Sequence, residues 1–157
     1  MNNDTFNDLT SGVYIISSKS NRNIGCIATS VIGLTNENKV ISISLNKKNY
    51  TNKVIKKTKR FSISVLMENA SKELINTFGF KSSKDINKFE NTKYEMIDEI
   101  PVVTESVCSY FICDVIAVVS VGTHDLIIAK VIDSKKINIG ESMSYKYYQE
   151  NIEHKNK

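Results

Sequence analysis

The chain is short of the residues that usually announce chemistry. Its three cysteines, Cys26, Cys108 and Cys113, include no CxxC pair, which excludes a paired-cysteine metal site and a disulfide framework. Each lies in or beside an apolar run, the setting of a small buried hydrophobe in a reducing compartment. Only two histidines occur, and His154 sits in the charged tail, so a histidine-dependent reaction would have to use His124. No apolar run approaches the ~18 residues of a membrane-spanning helix, and Met1-Asn2-Asn3-Asp4 has neither the basic start nor the apolar stretch of a secretion signal. These absences predict a cytoplasmic protein with no membrane contact. GxGxxG, P-loop, GxSxG and HExxH patterns are missing too, so side-chain catalysis has little to stand on and a bound cofactor is the natural carrier of any reaction.

With one proline and six glycines, no Pro/Gly-rich linker divides the 157 residues. A 41% hydrophobic composition is enough for a sizeable core, so residues 1–157 are expected to form a single domain with about 5–150 as its body. The net charge of +4 suits a small anionic ligand and falls short of a nucleic-acid binder. A barrel that binds single strands is further disfavoured because the tyrosines cluster near the C-terminus and are not interleaved with the basic residues from Lys53 to Arg60.

The pattern that is present is mainly β. Strands are expected at Gly12–Ser17, at Gly25–Thr35 as one strand bent near Gly33, and at Val40–Leu45. Phe61–Leu66 alternates in period two, placing Phe61, Ile63 and Val65 on one face. Val107–Val121 reads as a long strand or a strand pair, followed by a tight turn at Gly122-Thr123-His124-Asp125 and a returning strand, Leu126–Ile132. Short helices are expected over Asn52–Lys59 and from Asn69 or Ser71 to Phe78, stopped by Gly79. Phe80–Phe89 is a loop pinned by phenylalanines, with Phe78, Phe80 and Phe89 as core anchors, and Asn91–Thr104, with Pro101, is irregular. Six or seven strands and two or three short helices close best as a small antiparallel barrel.

The loop Asn46-Lys47-Lys48-Asn49-Tyr50-Thr51 follows a strand and precedes a helix, so its amides, hydroxyls and cations form a candidate anion site. Together with Gly25-Cys26-Ile27-Ala28-Thr29-Ser30-Val31, Phe61–Leu66, Phe78-Gly79-Phe80, Ser82-Ser83, Asp85–Phe89 and Gly122–Leu126, this loop resembles the flavin reductase-like family with the FMN-binding split β-barrel. Within the family the chain is similar to the flavin reductase domain of high-molecular-weight rubredoxins and to flavoredoxin. The resemblance implies an NAD(P)H-dependent FMN reductase acting as a homodimer, with noncovalent FMN near the subunit interface and NAD(P)H as co-substrate. It also implies roles. Thr29 and Ser30 would contact the flavin; Asn46, Lys47 or Lys48, Asn49, Tyr50 and Thr51 would hold the phosphate and ribityl end; Ser82, Ser83 and Lys88 would add phosphate contacts. His124 would lie near the isoalloxazine or nicotinamide, with no obligatory acid or base, and Tyr145 or Tyr148 could cover the ring. The electron acceptor would be a separate rubredoxin or another electron-transfer protein. The alternative is a flavoredoxin-like carrier without NAD(P)H activity.

Overall fold

The computed structural model describes residues 1–153; the charged end that begins at His154 lies outside them. After a 3-10 turn at Asn3–Asp8, the elements are β1 Tyr14–Lys19, β2 Asn23–Ala28, β3 Val31–Thr35, β4 Val40–Asn46, α1 Tyr50–Thr58, β5 Arg60–Leu66 and α2 Lys72–Phe80. They continue as β6 Tyr94–Ile97, β7 Ile100–Val103, β8 Val107–Val121, β9 His124–Lys136 and α3 Tyr145–Tyr148. Seven strands form one sheet in the order β2-β1-β5-β8-β9-β4-β3, and every adjacent pair is antiparallel. The expectation of a mainly β, antiparallel barrel with short helices holds. No helix among the described residues is long and apolar enough to cross a membrane.

Closure of the barrel corrects one expectation. β2 and β3 occupy opposite edges of the sheet yet are joined only by Thr29-Ser30. Two residues span at most about 7 Å, so the edges must curl together; the Ser44 N–H, donating to the Ser30 carbonyl at 3.1 Å, extends the β3–β4 ladder into the corner. The expected single strand Gly25–Thr35 is therefore two, and its corner falls at Thr29-Ser30. Gly33 instead marks a register irregularity between β3 and β4. Nothing in that β-branched run punctuates the corner, because tertiary closure imposes it.

The second correction is at Asn91–Thr104, which holds the β6–β7 hairpin, with Pro101 paired to Met96. Its turn is made by Asp98 and Glu99, both left-handed at φ 49° and 66°, the geometry of a two-residue hairpin turn. The hairpin covers one face of β5. Ser62 and Ser64 donate to the carbonyls of Pro101 and Val103 at 2.7 Å each, so these hydroxyls are buried without penalty while Phe61 and Ile63 fill the barrel. β8 is a single 15-residue strand. α1 starts two residues earlier than expected, at Tyr50, and α2 runs through Gly79 to Phe80. A second core, outside the barrel, packs α2 with Val13, Ile15, Phe89, Met143 and Tyr148.

Candidate functional site

The loop between β4 and α1 is built by its own side chains. Asn46 Oδ1 accepts from Lys48 N–H at 2.9 Å. Asn49, extended at φ −70° and ψ 127°, caps α1, its Oδ1 accepting from the N–H groups of Thr51 at 2.8 Å and Asn52 at 3.3 Å. Beneath the loop, fully buried Asn52 donates through Nδ2 to the Asn46 carbonyl at 3.2 Å and to Asp125 Oδ2 at 2.9 Å. Lys56 Nζ meets the same carboxylate oxygen at 2.9 Å. The hydrogen bonds from Lys56 and then Asn52 hold the Asp125 carboxyl below its usual range. The sequence reading missed this network. Its only signal is polarity at Asn52 and Asp125 beside apolar neighbours.

A cavity of about 260 Å³ opens at the N-terminus of α1. Lys48, Asn49, Tyr50 and Thr51 form one wall, Cys26 and Ile27 of β2 another, and the segment from Phe78 to Lys88 the third. Seven residues singled out from the sequence, Lys48, Asn49, Tyr50, Thr51, Ser82, Ser83 and Lys88, thus meet in one place. Lys88 is only 4% exposed. Its Nζ donates to the carbonyls of Gly25 at 2.8 Å and Phe78 at 2.9 Å and lies 5.7 Å from the Phe78 ring centroid. No carboxylate pairs with it among the described residues. Burial pulls its amine down from 10.5 to about 8. Burial also pushes the Cys26 thiol up, against the opposing influence of Lys88, Thr51 and Asn49, so Cys26 is a packing residue of the wall.

Ser83 lines the cavity and is bonded to the backbone of β2. Its hydroxyl accepts from Gly25 N–H at 3.0 Å and donates to the Gly25 carbonyl at 2.9 Å, tying the Phe80–Phe89 segment to β2. Arg22 reaches the Ser83 and Lys84 carbonyls and reinforces the tie. Gly25 is the anchor of the whole corner. A Cβ there would stand 3.0 Å from Phe78 Cε1 and 3.0 Å from the Ile16 carbonyl. Gly25→Ala should therefore cost roughly 1–3 kcal/mol by overpacking, read as a melting temperature lowered by several degrees.

The other sequence-predicted residues lie apart. Thr29 and Ser30 line a second, open groove of about 900 Å³ with Tyr14, Ser42, Ser44 and Leu126. Asn46 pairs with His124 at the tip of β4 and β9. There His124 Nδ1 lies 2.8 Å from Thr123 Oγ1, and Lys47 Nζ reaches Ser120 Oγ. Of the two loop lysines, Lys48 faces the cavity and Lys47 does not. Tyr145 and Tyr148 stack at 5.9 Å, Tyr148 is buried in the α2 core, and neither lines either opening. Phe78 and Phe89 are core anchors, edge to face at 5.3 Å, but Phe80 is 75% exposed at the cavity rim. Two residues along a helix turn the side chain through about 200°, so Phe78 and Phe80 could not both face the core.

The donor set fits a phosphate monoester. A buried ammonium with no ion-pair partner among the described residues, a second lysine, a threonine and the positive end of a helix line the cavity. The groove lined by Thr29 and Ser30 is large enough for a ring system.

Comparisons with known proteins identify the family. A high molecular weight rubredoxin from Moorella thermoacetica is 33% identical over 152 residues, which is 96% of this chain and 66% of that protein's own length. A ferric-chelate reductase (NAD(P)H) from Archaeoglobus fulgidus is 32% identical over 150 residues, 94% of this chain and 89% of the other. The solved structure of an NADH:FAD oxidoreductase from Streptomyces globisporus shares the fold, with a TM-score of 0.80 at 17% identity over 89% of this chain and 84% of that one. The flavin reductase like domain matches residues 6–154, nearly the whole sequence, and the chain belongs to that family.

Proposed function

We propose that the protein is an NAD(P)H-dependent flavin reductase that binds FMN noncovalently, with the phosphate in the α1 cavity and the ring toward the groove lined by Thr29 and Ser30. The observation that carries this reading is Lys88, a buried cation held by two carbonyls and paired with no carboxylate among the described residues. Such a charge is stabilised by an incoming anion. A bound flavin would supply hydride acceptance from the nicotinamide and onward electron transfer. The chain's own part is to bind, orient and exclude water. Lys88, Lys48 and Thr51 hold the phosphate, Thr29 and Ser30 offer polar contacts to the ring, and the Asn52–Asp125 network fixes the loop relative to His124. His124, at the strand tip, is placed on this reading beside the incoming nicotinamide.

The active form on this reading is a homodimer. Exposed Ile32 and Leu34 on β3, Ile116, Val119 and Val121 on β8, and Ile132 on β9 leave an apolar region of the kind that marks an interface. The acceptor is proposed to be a separate rubredoxin or another electron-transfer protein, in keeping with the name of the Moorella relative. Protein incubated with FMN, freed of excess by gel filtration and denatured, should release stoichiometric flavin that chromatographs as FMN. A colourless protein overturns the flavin assignment, and recovery of FAD overturns the choice of FMN.

A further inference from the structure

The positive charge of this chain is concentrated on one element. Residues 47–60 hold seven of the 21 basic residues and no Asp or Glu, and the remaining 143 residues carry 14 basic against 17 acidic. The excess is therefore a property of α1 and its flanks, with the rest of the chain acidic. Two of the seven are neutralised locally, Lys56 by Asp125 and Arg60 by Asp114. Lys48, Lys53, Lys57 and Lys59 are exposed and make no ion pair among the described residues. Lys53 and Lys57 stand four apart on the same helix face, where like charges repel. The first turn of α1 has no acidic residue, although its dipole would favour one. This ridge weakens the helix that carries it.

Its position gives the ridge a use. α1 begins at Tyr50, which lines the candidate phosphate cavity, and Lys53 and Lys57 rise roughly 5 and 10 Å along the helix from it. We infer that the exposed face of α1 is the docking surface for an acidic electron-carrier protein, which receives electrons from the flavin beside it. The inference rests on the flavin-reductase reading. Two oxidised one-electron carriers, docking in turn, take the two electrons of one reduced flavin, and two protons are released. Charge complementarity of this kind chiefly raises the rate of encounter and selects the partner by sign.

The test uses the FMN-loaded protein, an acidic rubredoxin as probe and basic cytochrome c as the opposite-charge control, with binding followed by calorimetry. The rubredoxin should bind with a dissociation constant that rises at least tenfold on moving from low to physiological salt. The Lys53→Glu/Lys57→Glu double variant should weaken it by roughly tenfold or more, since steered encounters lose factors of 10 and beyond with charge. Lys53→Gln/Lys57→Gln should fall between. Cytochrome c should bind the parent poorly and the charge-reversed variant better. Equal rubredoxin affinity for parent and variant overturns the docking surface, as does a single-stranded oligonucleotide that binds the ridge more tightly than rubredoxin does. Neither outcome touches the flavin reading, which fails separately if the protein retains no flavin.

Discussion

Lys88→Met should release the flavin, raising the FMN dissociation constant by about 10- to 100-fold. That is the range expected when a hydrogen bond between charged groups worth about 1.5–3 kcal/mol is lost. Methionine keeps the length and apolar stem of the side chain and removes only the ammonium, so the variant should still fold. Its circular dichroism should match the parent's while fluorescence titration shows the weakened binding. The same residue sets a pH dependence. Below pH 8 the buried amine of the free protein is protonated and attracts phosphate, and above about 8 it is neutral. FMN affinity should therefore fall as pH climbs from 7 toward 10, a window above the phosphate's own second ionisation near ~6.

Stability of the flavin-free protein should respond in the opposite sense. The folded amine titrates at about 8, below its ordinary 10.5, so the unfolded chain binds more protons between those values. Lys88 therefore opposes folding fully below pH 8, and that opposition fades as pH rises to 10.5. Lys88→Met should remove both slopes, and a parent whose FMN affinity is flat across this range would contradict the role given to Lys88.

Phe78→Ala should be the most damaging single change near the site. The ring is 1% exposed, meets Phe89 edge to face and lies against the position of Gly25, while the residue's carbonyl holds Lys88. Truncating a buried phenylalanine costs about 3–5 kcal/mol, which for a domain of this size lowers the melting temperature by on the order of 10 °C. FMN binding should weaken along with it, because the Phe78 ring lines the cavity and lies beneath the Lys88 ammonium. Phe78→Leu should recover most of the stability. A melting temperature unchanged in Phe78→Ala would show that the α2 core is packed differently from the structure described.

What was legible in the sequence follows from how local each cause is. Asn49 and Ser83 could be picked out because they sit in polar loops between strongly patterned elements. Their jobs were less legible: the amide of Asn49 caps a helix and the hydroxyl of Ser83 closes on Gly25, and both depend on groups that only folding brings close. The corner at Thr29-Ser30 was hidden for the same reason, since it is set by the meeting of sheet edges far apart in strand order. Pro101 misled in the other direction. It suggested irregular chain, yet a two-stranded hairpin tolerates proline where an N–H is not needed. The Asn52–Asp125 bond joins residues 73 apart, and no spacing rule reaches that far.

Anaerobic mixing of the FMN-loaded protein with NADH and, separately, NADPH, while the flavin absorbance is followed, separates an NAD(P)H-dependent reductase from an electron carrier. Full bleaching by at least one of the two nucleotides is expected with no other protein present, and return of the oxidised spectrum when an acceptor is added. Flavin that stays oxidised with both nucleotides, and is bleached only by a reduced partner protein, would contradict the reductase reading and make the chain a carrier of electrons.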